Sequence, residues 1–214
     1  PVRGELTQDE IRASQRQRHS KDAWVKLGAK KDGTLMALDC KVYFEGGAYA
    51  CCSPINLRAF GANILMPYRI PNVRYEGIRV YTNKPPCGAV RGQSTVISRY
   101  VLDSVLTDLA HDLGLDQLEI RRQNGLRDGD ETCAGTQIRD FGYQETVDRV
   151  RDLLTWPESR DNKAPWHGFG FAADAGGSGS RARGHWASAA VVKVTEDGGV
   201  NLIQGATELG QGSD

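Results

Sequence analysis

Two short stretches carry the residues best suited to chemistry. In the first, Arg91 stands between Gly88 and Gly92, just after Pro85-Pro86 and just before an amphipathic helical pattern. A guanidinium is always charged and offers five donors in a fixed fork that suits phosphate or a polar heterocycle. Glycines on either side let a ligand approach the backbone closely, and a helix N-terminus already favours an anion. The same arginine could instead bond loop carbonyls and hold the turn, and the residues alone leave both readings open. In the second stretch, Gly205 to Gly212, Gln211 lies between Gly210 and Gly212 at the end of an apolar strand pattern. Its amide donates and accepts at a place where backbone can touch a ligand. A plain polar strand end is the alternative there, and Glu208 reads either as a base or as a solvent-facing carboxylate.

Other chemistries find little support. The four histidines (His19, His111, His167, His185) share no spacing or acidic companions of a zinc site. His111 falls within a helical pattern, where a structural role is expected. The Gly176–Ser180 run lacks the phosphate-cradling GxxxxGK[ST] signature and joins strand to strand, so it reads as a flexible connection. No GxSxG nucleophile elbow is present. Cys40, Cys51, Cys52, Cys87 and Cys133 show no CxxC spacing, which points to a reducing compartment and a cytoplasmic location.

These residues need elements to hold them. Lys31-Asp32-Gly33 reads as the turn of a β-hairpin between Val25–Lys30 and Thr34–Phe44, closed by Gly46-Gly47. A short helix over 53–66 begins at Ser53-Pro54. A strand over 73–82 then delivers the chain to the arginine stretch. Next comes a helix whose stripe is Ile97, Val101, Val105, Leu109 and Leu113, widened by Leu102, Leu106 and Ala110. Ser94 or Thr95 is its expected cap, and Gly114 its left-handed stop. Asp116 caps a shorter helix, with Glu119 at the capping-box position and Gly125 as its stop. Residues 126–142 read as a polar loop. A third helix shows the face Tyr143, Val147, Val150, Leu154 and ends at Pro157. A linker over Trp156–Pro165 precedes a strand (168–173), a glycine-rich loop (174–184), a strand (187–195), an Asp197-Gly198-Gly199 turn and a strand (200–204). Strands with separate helices give the α+β class, with mixed β-sheets and packed helices.

At 214 residues, 39% of them hydrophobic and 25% charged, with 25 glycines, the chain is a globular sequence able to bury a core. Its 27 basic and 27 acidic residues cancel, so no overall field favours nucleic acid or an anionic membrane. No segment approaches the roughly 18 apolar residues of a membrane span.

The stretch "IPNVRYEGIRVYTNKPPCGAVRG" (70–92) and the stretch "DGGVNLIQGATELGQGSD" (197–214) together resemble the molybdenum-binding large subunit of the xanthine dehydrogenase and aldehyde oxidase family. "RHSKDAWVKLGAKKDGTLMALDCKVYFEGGAYA", "LAHDLGLDQLEIRRQN" and "HGFGFA" are similar to other segments of that family in the same order. The resemblance implies an incomplete molybdopterin-binding domain of this type, with 1–160 as part of a first subdomain and 161–214 as the start of a second. It implies that Arg91 borders the pocket for cofactor and substrate, joined by Gln93. It also implies that Leu209 and Gln211 contact the pterin, with Gly210 and Gly212 allowing close approach.

The implied reaction is hydroxylation of an aldehyde, N-heterocycle or related substrate with water-derived oxygen. The implied cofactor is molybdenum with molybdopterin, in plain or cytosine dinucleotide form. Electrons would leave through iron–sulfur and FAD centres on partner subunits or domains. Two departures stand out. Gln93 and Ser94 occupy places where the family often carries an aromatic residue and a glycine, and the distal segment bearing the catalytic glutamate has no match, so no catalytic residue is assigned. The expectation is therefore a fragment of a longer subunit, inactive by itself. Rival readings are a non-catalytic scaffold without cofactor and a free-standing ligand-binding module.

Overall fold

The computed structural model describes residues 2–156, 165–175 and 189–205. The chain divides into two compact units, Pro1–Gly176 and Gly177–Asp214. The first opens with an unexpected helix, α1 (Gln8–Ser14), which buries none of its residues. A reciprocal capping box starts it: the Thr7 side chain accepts from the Glu10 N–H, and the Glu10 carboxylate accepts from the Thr7 N–H at 2.7 Å.

The hairpin follows as the sequence predicts. Strand β1 (Lys21–Ala29) pairs antiparallel with β2 (Leu35–Glu45). Gly33 turns it at φ +84, and a Cβ there would fall 2.6 Å from Leu115, so both conformation and space demand glycine. The turn is held from outside by Asn124, whose amide nitrogen donates to the Gly33 carbonyl at 2.9 Å and whose carbonyl oxygen accepts from the Leu35 N–H at 2.9 Å. Helix α2 (Ser53–Asn63) is the expected short helix. It crosses the sheet to β3 (Asn72–Val80), which pairs parallel with β2, giving a mixed sheet in the order β1-β2-β3. The central strand buries Leu35, Leu38, Cys40, Val42 and Phe44 almost completely, as a strand flanked on both sides should. Phe44 meets Phe60 of α2 edge to face, with ring centroids 5.4 Å apart.

Three helices complete the unit: α3 (Thr95–Asp112), α4 (Gln117–Asn124) and α5 (Tyr143–Leu153). Gly114 is left-handed at φ +66, as expected of a helix stop, and Asp116 caps α4 by accepting from the Leu118 and Glu119 N–H groups. Gly125, at φ −61, ends α4 without a left-handed turn. Helix α5 ends at Leu153, before the expected Pro157, and Pro157 with most of the expected linker lies outside the described residues. The buried line of α3 is centred on the widening residues Leu102, Leu106 and Ala110 of the predicted stripe rather than on its i+4 row. Ser98, Arg99, Leu102, Asp103, Leu106 and Ala110 are buried, while Ile97, Val101 and Leu109 flank them. The centre shifts because the chain at 171–173, read as a strand, instead runs without regular structure against this unit's core, with Phe171 and Ala173 packed there and the Ala173 N–H donating to Asp103 at 2.9 Å.

In the second unit, β4 (Ala190–Val194) pairs antiparallel with β5 (Val200–Gln204) across the predicted turn, with Gly198 at φ +82. The glycine-rich loop before β4 lies mostly outside the described residues. No helix among the described residues is long and apolar enough to cross a membrane.

Candidate cofactor pocket at the arginine loop

Parallel pairing of β2 and β3 puts their C-terminal ends side by side, so the loops that follow them must meet. They interlock through backbone. The Gly46 N–H donates to the Val80 carbonyl at 2.9 Å, Ala48 to Lys84 at 3.0 Å, Thr82 to Gly47 at 3.2 Å and Cys87 to Gly46 at 3.1 Å. A Cβ on Gly47 would fall 2.2 Å from the Pro85 carbonyl oxygen, so the glycine pair that ends the hairpin is also where the arginine loop seats. Arg79 braces the join, donating to the Tyr49 carbonyl at 2.7 Å and stacking on Tyr81 at 4.1 Å.

A second brace comes from residues 16–18, which form a strap along the outer side of the loop. Gln17 bridges in parallel to Cys87, the Gly88 N–H donates to the Gln17 carbonyl at 3.0 Å, and the Arg18 guanidinium donates to the Arg91 carbonyl at 2.9 Å. Gly88 is buried against Arg16, whose Cδ would lie 2.8 Å from an added Cβ. This glycine makes room for the strap, not for a ligand. Behind the loop, the Ser53 hydroxyl donates to the Cys87 carbonyl at 3.2 Å, which leaves His19 Nε2, 2.8 Å away, to donate to Ser53. The hydroxyl is thereby occupied and buried, so this His/Ser pair holds structure and is no nucleophile.

Thus supported, the chain turns through three successive positive-φ residues: Gly92 at 85°, Gln93 at 36° and Ser94 at 74°. Only the first is glycine. A side chain in this region costs about 1 kcal/mol per residue, and such strain collects where a backbone must present something specific. Ser94 is the predicted cap of α3, but its hydroxyl makes no capping hydrogen bond; the Thr95 N–H donates to the Gly92 carbonyl at 2.7 Å, which leaves the Val96 and Ile97 N–H groups for another acceptor. Thr95, the alternative cap, accepts from the Asn63 amide at 2.7 Å instead. Arg91 and Gln93 are exposed on this turn, and the Arg91 guanidinium has no hydrogen-bond or ion-pair partner among the described residues. The arrangement can hold an anionic oxygen between a free guanidinium and an uncapped helix start.

Leu209, Gly210, Gln211 and Gly212 lie outside the described residues. No group of three or more His, Cys, Asp or Glu among the described residues could ligate a metal. A surface concavity of about 740 Å³ is lined by Lys26, Asp39, Arg74 and Cys133 at the opposite ends of β2 and β3, away from the arginine loop.

Sequence reasoning missed a buried polar hub beside α3. Asp103 accepts from the Tyr68 hydroxyl at 2.7 Å and pairs with Arg121 at 3.5 Å, while Arg121 also donates to the Asp103 and Gln117 carbonyls and to Thr107. Next to it Arg99 is 5% exposed, and none of its three guanidinium nitrogens makes a hydrogen bond among the described residues. Its nearest counter-charge is Asp174 at 3.7 Å, and burial pulls its pKa down to about 10. Charged residues at i and i+4 inside an apolar helix pattern were the available signal.

Residues 1–125 match the family described as molybdopterin cofactor-binding domain. The chain belongs to that family. It is 30% identical over 220 residues to the xanthine dehydrogenase molybdenum-binding subunit of Escherichia coli, covering 100% of this chain and 29% of that protein. It is 31% identical over 193 residues to the aldehyde oxidoreductase of Megalodesulfovibrio gigas, covering 89% of this chain and 21% of that protein. The solved aldehyde oxidoreductase from Desulfovibrio gigas superposes with a TM-score of 0.72 at 25% identity, over 87% of this chain and 21% of that one. The chain thus spans less than a third of the length of these relatives. The α+β fold of mixed sheet and packed helices is that of this family's molybdopterin-binding region.

Proposed function

We propose that this molybdopterin-binding chain forms one wall of the pocket of a molybdenum hydroxylase, which inserts water-derived oxygen into an aldehyde, N-heterocycle or related small molecule. The observation that carries the reading is the arginine loop itself: a strained turn, held from both sides, that presents a free guanidinium beside an uncapped helix start. These features fit an anionic, heteroatom-rich cofactor. Arg91 would donate to its oxygens, the Val96 and Ile97 N–H groups at the start of α3 would donate to further anionic oxygens, and Gln93 would face the substrate side. Leu209, Gly210, Gln211 and Gly212 would contact the pterin, and the two subdomains would run over 1–160 and 161–214. The bound cofactor, plain or as the cytosine dinucleotide, would supply two-electron redox chemistry. Its electrons would pass to iron–sulfur and FAD partners in a cytoplasmic assembly. The work of this chain's own residues is to bind, orient and exclude water, because no acid–base group stands at the described part of the pocket.

Arg91→Ala in the intact protein tests this. A charge-assisted hydrogen bond is worth about 1.5 to 3 kcal/mol, so cofactor retention should fall roughly tenfold or more. Molybdenum by elemental analysis and released pterin fluorescence should drop together, with the unfolding midpoint unchanged. Full molybdenum content and unaltered turnover in the variant would refute a pocket role.

A further inference from the structure

Adjacent residues in an extended chain point their side chains apart, yet Cys51 and Cys52 do not. Cys51 sits at φ +44, and this bend brings the two Sγ atoms to 3.7 Å. Cys51 is exposed and Cys52 half-buried, and neither is in a disulfide. The strap lays Arg16 across both: its Nη1 lies 4.0 Å from Cys51 Sγ and 3.7 Å from Cys52 Sγ. The Ala89 backbone N–H in the arginine loop also acts on Cys52, ahead of Cys51 and Arg16. A guanidinium and a backbone donor on one sulfur both favour the thiolate, and the pKa of Cys52 is lowered accordingly. The other thiols contrast with it, since burial pushes Cys40 up to about 11 and also raises Cys87 and Cys133.

A stabilised thiolate, access from solvent and a second thiol within reach are the requirements of a peroxide-reactive pair. We propose that Cys51-Cys52 is such a site, with Cys52 attacking a hydroperoxide and Cys51 resolving the product. The Cys52 thiolate attacks one peroxide oxygen and the O–O bond breaks, leaving a sulfenic acid and releasing hydroxide (or alkoxide), which takes up a proton. The Cys51 sulfur then attacks Cys52 Sγ, the S–O bond breaks, and hydroxide leaves with the Cys51 proton as water. Two electrons pass from the sulfur pair to the peroxide. The product is a disulfide between neighbours, whose Cα atoms lie about 3.8 Å apart, closer than ordinary disulfides allow. Such a strained bond is readily reduced, so the site is reversible. Oxidation also removes the negative charge that faces Arg16 and acts with the Ala89 N–H, two residues before Arg91.

The test uses the intact, reduced protein and hydrogen peroxide. Trypsin releases Val42–Arg58, which contains both cysteines and no others. This peptide should lose two hydrogens, stop taking up iodoacetamide and regain both sites after dithiothreitol. In Cys51→Ser, Cys52 should stop at the sulfenic acid and be trapped by dimedone. Cys52→Ser and Arg16→Met should each react several-fold more slowly, Arg16→Met serving as the variant that leaves both thiols in place. If no internal disulfide forms, or if Cys51→Ser and Cys52→Ser oxidise at equal rates, the proposal is wrong.

Discussion

Arg99 carries its charge at neutral pH in a place where water does not reach it. A buried guanidinium loses its hydration and is repaid only by hydrogen bonds of good geometry. Among the described residues none of its nitrogens has one, and Asp174, itself about half exposed, stands too far away to accept. Arg121, a few residues along the core, shows the opposite case, with carbonyls, a hydroxyl and a carboxylate around its fork. Arg99→Met keeps the length and apolar stem while removing the charge. It should raise stability by about 1 to 3 kcal/mol, seen as a higher urea midpoint with an unchanged slope. A loss of stability instead would mean that the guanidinium is engaged in a bond worth keeping.

At the scale of the element, the start of α3 is the strained part of the structure. Ser94 is 5% exposed and left-handed, and it gives no capping bond in return. The family often has glycine at this position, and the backbone here keeps the conformation that suits glycine although the residue is serine. Ser94→Gly should therefore stabilise the protein by about 1 kcal/mol, detectable as a small rise in the thermal midpoint. A fall would show that the buried serine side chain contributes more than its backbone costs. The same element shows how a sequence misleads. The periodicity of Ile97, Val101 and Val105 predicts the helix, but not its rotation, because the segment 171–173 that lies by Arg99 and Asp103 is distant in sequence and looked like a strand.

For the molecule as a whole, stability should depend on pH through His19. Burial, with help from the charges of Lys21 and Arg79, lowers its pKa to about 4 in the folded state. The unfolded chain takes up a proton near pH 6.5, so between about 6.5 and 4 the unfolded state binds more protons and stability falls as pH falls. One such group contributes a slope of up to about 1.4 kcal/mol per pH unit. His19→Asn should flatten the dependence of the unfolding midpoint over that window, and an unaltered slope would assign it to other groups. Much of the fold was legible where the signal is local: the Lys31-Asp32-Gly33 turn, the Asp116 cap, the Gly114 stop. Parallel pairing of β2 with β3 was not, because orientation depends on the crossover. The strap was invisible for a similar reason, since Arg18 and the Arg91 carbonyl it holds are 73 positions apart. Even the Thr7/Glu10 capping box, fully local, went unread in a polar stretch with no apolar stripe behind it.

The strap also has a bearing on how the protein survives handling. Arg12 and Arg16 are exposed, and α1 before them buries nothing, so trypsin-like proteases can reach this stretch without opening the core. A cut after Arg16 would leave Gln17 and Arg18 still clasping the arginine loop while freeing the residue that spans the two cysteines. One nick would separate the support of the loop from the charge on the thiols.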